Sequence, residues 1–248
     1  MTQVKEKTAV ERLKDDHEYY GEFGRQYLSN SDIKVLRENP KEFGIKREDN
    51  KAFAEGRYFH QSMLEPDKAE QTLSIGVASR NTKAYKEMLA AENKTIILLE
   101  KEREQIDWLV SEMKSNISMF DLVYAEGNKF EVPQVGKIMG HWFKGKADIV
   151  TSKCLIDLKT TSNIHDFKYS ARKYGYDTQC YIYQQLFGKP LIFLAIDKNT
   201  GLMGKYIPSD EFIDFGRQKV QEGINIYETF FSDNAETDIQ DFIIEETL

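Results

Sequence analysis

Cysteine is nearly absent from this chain: Cys154 and Cys180 are the only two in 248 residues. Two thiols exclude a disulfide framework and a four-cysteine metal cluster, and the expected setting is reducing and cytoplasmic. Long apolar runs are missing as well. No stretch reaches the roughly 18 consecutive apolar residues of a membrane span. The opening "MTQVKEKTAVERLKDD" is charged throughout and lacks the apolar core of a signal peptide. Positive charge is not in excess either, because the formal net charge is −7. That balance argues against a non-specific DNA-coating protein. It leaves room for a nucleic-acid enzyme, since a local basic groove works inside an acidic molecule.

What is present is ordinary globular composition, 40% hydrophobic and 30% charged, at a length suited to one large domain with additions. Residues 1–26 are polar without a clear period and read as an arm or helix. Residues 27–231 read as the main body, and 232–248 as a loose acidic tail. In the body, "LSNSDIKVLRENPKEFG" is a short helix with cap candidates at Ser29, Asn30 and Ser31 and a stop at Pro40. "NKAFAEGRYFHQSML", "TKAYKEMLAAEN" and "LEKEREQIDWLVSEMKSNISMF" follow as helices. From about residue 129 the period changes. Three antiparallel strands are expected, with turns at Gln134–Gly136 and Thr151–Lys153. A helix or helix pair closed by Gly188 and Pro190, the strand "LIFLAIDK", the strand "MGKYIPS" and a helix over 209–231 complete the order. That order implies an α/β sandwich around a mixed sheet.

"GKADIVTSKCLIDLKTT", residues 145–161, breaks the pattern of a buried sheet. Burying charge costs several kcal/mol unless it is paired or metal-bound. Asp157 and Lys159 are two apart, so on a strand they project from one face while Leu158 points to the other. In a hairpin centred near Ser152, Asp148 falls roughly opposite Asp157. Two carboxylates and an ammonium at the end of a sheet suit phosphodiester hydrolysis. Mg²⁺ takes oxygen ligands, which Asp148, Asp157 and the Leu158 carbonyl can supply. Lys159 would orient or deprotonate water, or stabilise transition-state charge. The acid-x-lysine pair alone is common here: Asp32/Lys34, Glu92/Lys94, Glu112/Lys114 and Asp166/Lys168 share it. A half-exposed salt bridge is the competing reading.

Gln179 and Tyr183, four apart on one helix face, extend the pattern. Asp148, Asp157-x-Lys159 and Gln179-x-x-x-Tyr183 together resemble the PD-(D/E)XK nucleases of the RecB-like branch. "LSNSDIKVLRENPKEF", "EGRYFHQSMLEPDK", "IDLKTTSNIHDF", "YGYDTQCYIY" and "PLIFLAID" narrow the resemblance to RecE-type phage and prophage exonucleases. The resemblance implies a restriction-endonuclease-like α/β core with a central mixed sheet flanked by helices and an N-terminal helical extension. It implies Asp148 and Asp157 as metal ligands, Lys159 as the catalytic lysine, and Gln179 and Tyr183 beside the site, helping to position DNA. His60 matches the family's N-terminal metal histidine, and Glu131 a further acidic position. Mg²⁺ is the implied cofactor, with Mn²⁺ able to substitute. The implied activity is 5′-to-3′ digestion of duplex DNA ends by a ring-like trimer or tetramer, in a bacterial or phage-infected cell. A single-strand annealing protein is the implied partner. Ala147 stands where the family name anticipates proline, and the four cysteines of iron–sulfur relatives are missing.

Other residues keep two readings. Lys168, Arg172 and Lys173 form a basic cluster, either a solvated face or a phosphate contact. Thr160 and Thr161 either cap the strand end or donate to a phosphate. The tail from Asp233, with Ile239, Phe242, Ile243 and Ile244, is a turn docked on the body, a docking peptide for a basic partner, or a shield over the DNA channel.

Overall fold

The change of hydrophobic period near residue 129 marks the start of the main sheet. The computed structural model describes residues 3–46 and 48–243. Helices α1 (Gln3–Arg12), α2 (Asp16–Tyr20), α3 (Asn30–Glu38), α4 (Lys51–Leu64) and α5 (Pro66–Glu70) come first. A two-residue parallel pair, β1 (Ser74–Ile75) with β2 (Leu98–Leu99), encloses α6 (Lys83–Ala91). Helices α7 (Glu100–Ser115) and α8 (Ile117–Tyr124) lead into β3 (Lys129–Ile138), β4 (His141–Val150) and β5 (Leu155–Thr161). Then come α9 (Phe167–Lys173), α10 (Tyr176–Phe187), β6 (Leu191–Asp197), β7 (Met203–Tyr206) and α11 (Asp210–Phe230).

The five strands lie in the order β3-β4-β5-β6-β7. Only β5 and β6 pair in parallel, joined through α9 and α10. Both faces are covered, which is why β6 is apolar and buried from end to end up to its last residue. Leu155, Phe193 and Ala195 pack with Cys180, Ile182 and Val220 in the layer built on α10 and α11. Ile156, Leu158 and Leu194 pack with Phe59, Leu109 and Met113 in the layer built on α4 and α7. Alternation along β5 therefore sends Asp157 and Lys159 toward α10 and Leu158 toward α4.

Two local expectations change. The β3–β4 turn falls at Met139–Gly140, not at Gln134–Gly136, whose residues pair within the ladder. A type I′ hairpin loop has positive φ at both positions; Gly140 (φ 90) supplies one easily, and Met139 (φ 48) takes the other. The helix expected across residues 99–120 divides at Asn116. Its carboxamide accepts from Met119 N–H (3.1 Å) and caps α8. The Thr151–Lys153 turn forms as expected, with Thr151 Oγ1 accepting from Cys154 N–H (2.9 Å) and Lys153 N–H (3.1 Å).

The N-terminal arm is not detached. Ala9, Leu13, Tyr19 and Tyr27 pack on Val135 and Trp142, and the buried Lys144 ammonium donates to the Tyr19 carbonyl. At the other end, residues Ile239–Asp241 form a 3₁₀ turn. The Phe242 ring meets Phe230 at 5.7 Å, and Lys41 Nζ donates to the Gln240 carbonyl at 3.4 Å. Ile243 is 77% exposed, and Ile244 and the residues after it lie outside the described residues.

Candidate active site

Three strands lose regular pairing at one level. The β4–β5 register ends at Ile149–Ile156, one step short of Asp148 and Asp157. The β3–β4 register skips Glu131 and Asp148, and Glu131 sits at φ 49. The Leu158 N–H, released from β4, is taken by Asp148 Oδ2 at 2.8 Å. Glu131, Asp148 and Asp157 thus hang where the strands part. Asp148 is 7% exposed and Asp157 2%.

His60 enters from α4, which packs on β5. Its Nε2 lies 2.8 Å from the Leu158 carbonyl and must be the donor there, since a carbonyl only accepts. In the neutral ring, Nδ1 then carries a lone pair, and it faces Asp148 Oδ2 at 3.6 Å. Two acceptors facing each other can share a proton or a cation. A ring N–H donated to a backbone carbonyl is also how metal-binding histidines are usually held. Among the described residues, His60, Glu131 and Asp148 each offer a ligand atom, all within 4.8 Å of one another. Burial pushes the Asp148 carboxyl up to about 6, with the Asp157 charge adding to it. Burial likewise pushes Glu131 up to about 8, with Asp148 adding. A divalent cation relieves both the burial cost and the repulsion, so the donor set fits one.

Asp157 is held differently. Gln179 Nε2 donates to its Oδ1 at 2.6 Å. Lys159 Nζ lies 2.5 Å from its Oδ2, close enough for an ion pair but without hydrogen-bond geometry, so this buried oxygen accepts no hydrogen bond. Burial alone would lower the Lys159 amine. The charges of Asp157 and Asp148 outweigh it and hold the ammonium above its ordinary range.

Tyr183 donates from its hydroxyl to the Lys146 carbonyl at 2.9 Å. Gly145 makes this approach feasible, because a Cβ there would stand 2.9 Å from the Tyr183 ring. Gln179 and Tyr183 are both buried, so their contacts are with the acid-bearing strands. The Leu158 carbonyl already accepts from His60 and keeps one lone pair. Thr161 is buried and its hydroxyl donates to the Asn163 carbonyl (3.2 Å), which caps the strand end. Thr160 is half-buried, opposite Ile196 of β6. Lys168, Arg172 and Lys173 are exposed on α9, with Arg172 resting 5.1 Å from the Phe215 ring.

Lys146, Asp16 and Lys68 were not foreseen. Lys146 Nζ meets Asp16 Oδ1 at 2.5 Å, and Lys68 Nζ meets Asp16 Oδ2 at 2.6 Å. Burial would raise the Asp16 carboxyl, but the two ammoniums hold it below its ordinary value. A lysine two residues before Asp148 in a buried strand was a legible signal. Asp16, on the arm, carried none.

A family model for a PDDEXK-like domain of unknown function (DUF3799) matches residues 29–238. The chain belongs to this family. The sheet and helices described above are thus those of a PDDEXK-like domain. A search of curated proteins gives no match. A solved structure from Eubacterium rectale, named as a candidate exonuclease, superposes with a TM-score of 0.64 at 16% identity. It covers 94% of this chain and 95% of that one, which shows a shared fold. A phage-related exonuclease from Haemophilus somnus (TM-score 0.33, 14% identity, 69% and 92% covered) and an alkaline exonuclease from Laribacter hongkongensis (0.33, 12%, 70% and 93%) are more distant.

Proposed function

We propose that this chain is a Mg²⁺-dependent DNA exonuclease that hydrolyses phosphodiester bonds at duplex ends and leaves single-stranded tails for recombination. The observation that carries the reading is His60 Nδ1 turned to Asp148 Oδ2 at 3.6 Å, with Glu131 beside it and the Asp157–Lys159 pair on the adjoining strand. Polarity of 5′ to 3′, a ring-like homo-oligomer and an annealing partner belong to the same reading and rest on the family resemblance.

The bound cation, Mg²⁺ or Mn²⁺, would make a bound water acidic and neutralise charge on the phosphate. His60, Glu131 and Asp148 would hold it, with Asp157 on the other side. Lys159 remains an ammonium, so its part is to attract the phosphate and stabilise the charge that grows in the transition state. Gln179 fixes the Asp157 carboxylate through Oδ1, while Oδ2 faces the Lys159 ammonium. Tyr183 holds β4 in place two residues before Asp148.

The test is digestion of duplexes labelled at either end, with Mg²⁺ or with chelator, beside a covalently closed circle. Release of label from one 5′ end in Mg²⁺, none in chelator and an intact circle are expected. A nicked circle would replace the exonuclease with an endonuclease on the same core. No cleavage with Mg²⁺ or Mn²⁺ would leave only a DNA-binding module.

A further inference from the structure

Lys159 is connected to the surface by a row of aromatic rings. Its Nζ lies 4.7 Å from the centre of the Tyr176 ring. The Tyr176 ring is 6.2 Å from that of Tyr174, the planes tilted by 39°. Tyr174 in turn lies 5.6 Å from Lys34 Nζ and 5.9 Å from Lys173 Nζ. Exposure rises along the row, from 17% at the Lys159 side chain to 49% at Tyr174. Gly175 shapes it. At φ 75 and ψ 34 it caps α10 and turns the chain between the two tyrosines, in a conformation that L-residues seldom adopt.

Core packing accounts for Tyr176, which meets Phe193 at 5.3 Å. It does not account for Tyr174, whose ring is open to solvent between two ammoniums. Those lysines stand near the outer limit of cation–π contact, so they leave the ring for a phosphate at little cost. The neighbouring acids are engaged: Asp177 is buried against Lys219 at 2.6 Å, and Glu38 is 3.8 Å from Lys34. An exposed ring flanked by cations and continuous with a catalytic lysine matches the chemistry of single-stranded DNA. Bases stack on aromatic faces whatever their sequence, and phosphates meet the ammoniums.

We propose that Tyr176, Tyr174, Lys34 and Lys173 form a track for one DNA strand at the metal site, with bases stacking on Tyr174 and phosphates bridging to the two lysines. The proposal rests on the reading of the site as a DNA nuclease. A short basic strip also reconciles DNA binding with a net charge of −7.

The experiment uses the full chain in chelator, where nothing is cut, and a duplex with a thymidine tail that carries 2-aminopurine. Tyr174→Leu should bind about tenfold more weakly and lose the fluorescence quenching of stacked 2-aminopurine. Tyr174→Phe should keep both, since stacking does not need the hydroxyl. Lys34→Gln with Lys173→Gln should reduce the salt slope of binding by about 1.4, roughly 0.7 per lysine. Wild-type binding and quenching by Tyr174→Leu would overturn the track, and so would a Phe variant as weak as the Leu one. If the Leu variant fails to fold, the lysine pair decides, and an unchanged salt slope sinks the proposal. The wild type is also assayed for cleavage in Mg²⁺. Cleavage together with unaffected variants removes the track alone, whereas a wild type that neither binds nor cuts DNA removes both readings.

Discussion

Asp157 and Lys159 show why a charged pair tolerates burial. Their side chains are 3% and 17% exposed and their charged atoms are 2.5 Å apart. Removing one partner of such a pair costs about 3–5 kcal/mol, because the other is left buried and unpaired. Lys159→Ala should therefore lose stability as well as turnover. Adding Asp157→Asn to it should restore much of the stability and none of the activity. Urea unfolding of the two single variants and the double variant measures the coupling, and additive losses would contradict the pairing. His60 permits a cleaner separation. His60→Ala should weaken Mg²⁺ binding in a titration of the folded protein. If it only lowers the melting temperature and stays fully active per folded molecule, the residue is packing and not a ligand.

At the scale of elements, α7 is tied down by one buried carboxylate. Glu102 accepts from the Leu99 N–H (2.9 Å) and from both terminal nitrogens of Arg80 (2.7 and 2.6 Å), with Lys51 Nζ 3.2 Å away. Burial would raise its carboxyl, but Arg80, the Leu99 N–H and Lys51 prevail and lower it from 4.5 to about 2. A depressed carboxyl contributes stability above its unfolded value, and that contribution is lost as pH falls through the folded one. Wild type should accordingly lose this contribution between about pH 4.5 and 2. Glu102→Gln should melt lower at pH 7 and converge on wild type near the acid end. Parallel melting curves across that window would rule out the assignment. Helix α10 makes the corresponding link to β4. Tyr183→Phe removes the donor to the buried Lys146 carbonyl and should cost about 1–3 kcal/mol in urea unfolding. Its kcat should fall while folding is retained, because Asp148 lies two residues farther along the same strand. An unchanged kcat would confine Tyr183 to stability.

Across the whole molecule, the site draws on four separate parts of the chain: α4, β3, and the β4–β5 hairpin, with α10 behind it. The arm closes the assembly through Asp16, which joins Lys146 of the sheet to Lys68 of α5. A ligand that binds only this folded arrangement stabilises all of it by mass action. At a Mg²⁺ concentration 100 times its Kd the gain is about 2.7 kcal/mol, which corresponds to a rise of about 5–10 °C in Tm for a chain of this size. Chelator should reverse the rise, and Asp148→Asn should abolish it. A wild-type Tm indifferent to Mg²⁺ and Mn²⁺ would remove the metal centre from the account.

The Asp157–Lys159 pair, the hairpin that sets Asp148 against Asp157, and the Gln179–Tyr183 helix face were legible because each is local. Period two on a strand and period 3.6 on a helix decide which side chains share a face, and a short turn decides what lies opposite. The mixed sheet followed from the order of elements. His60 and Glu131 were reached through the family resemblance alone, since no spacing relates a helix at residue 60 to a strand at 148. The turn at Met139–Gly140 escaped because Gly136 offered an equal local signal, and only pairing across the whole hairpin selects between them. Tertiary structure alone decided that Asp16 of an apparently loose arm would meet Lys146, and that Tyr174 would stand in line with Lys159. Contacts of that kind depend on how layers dock. Docking is driven by apolar area, which is non-directional and leaves no mark on the polar residues it brings together.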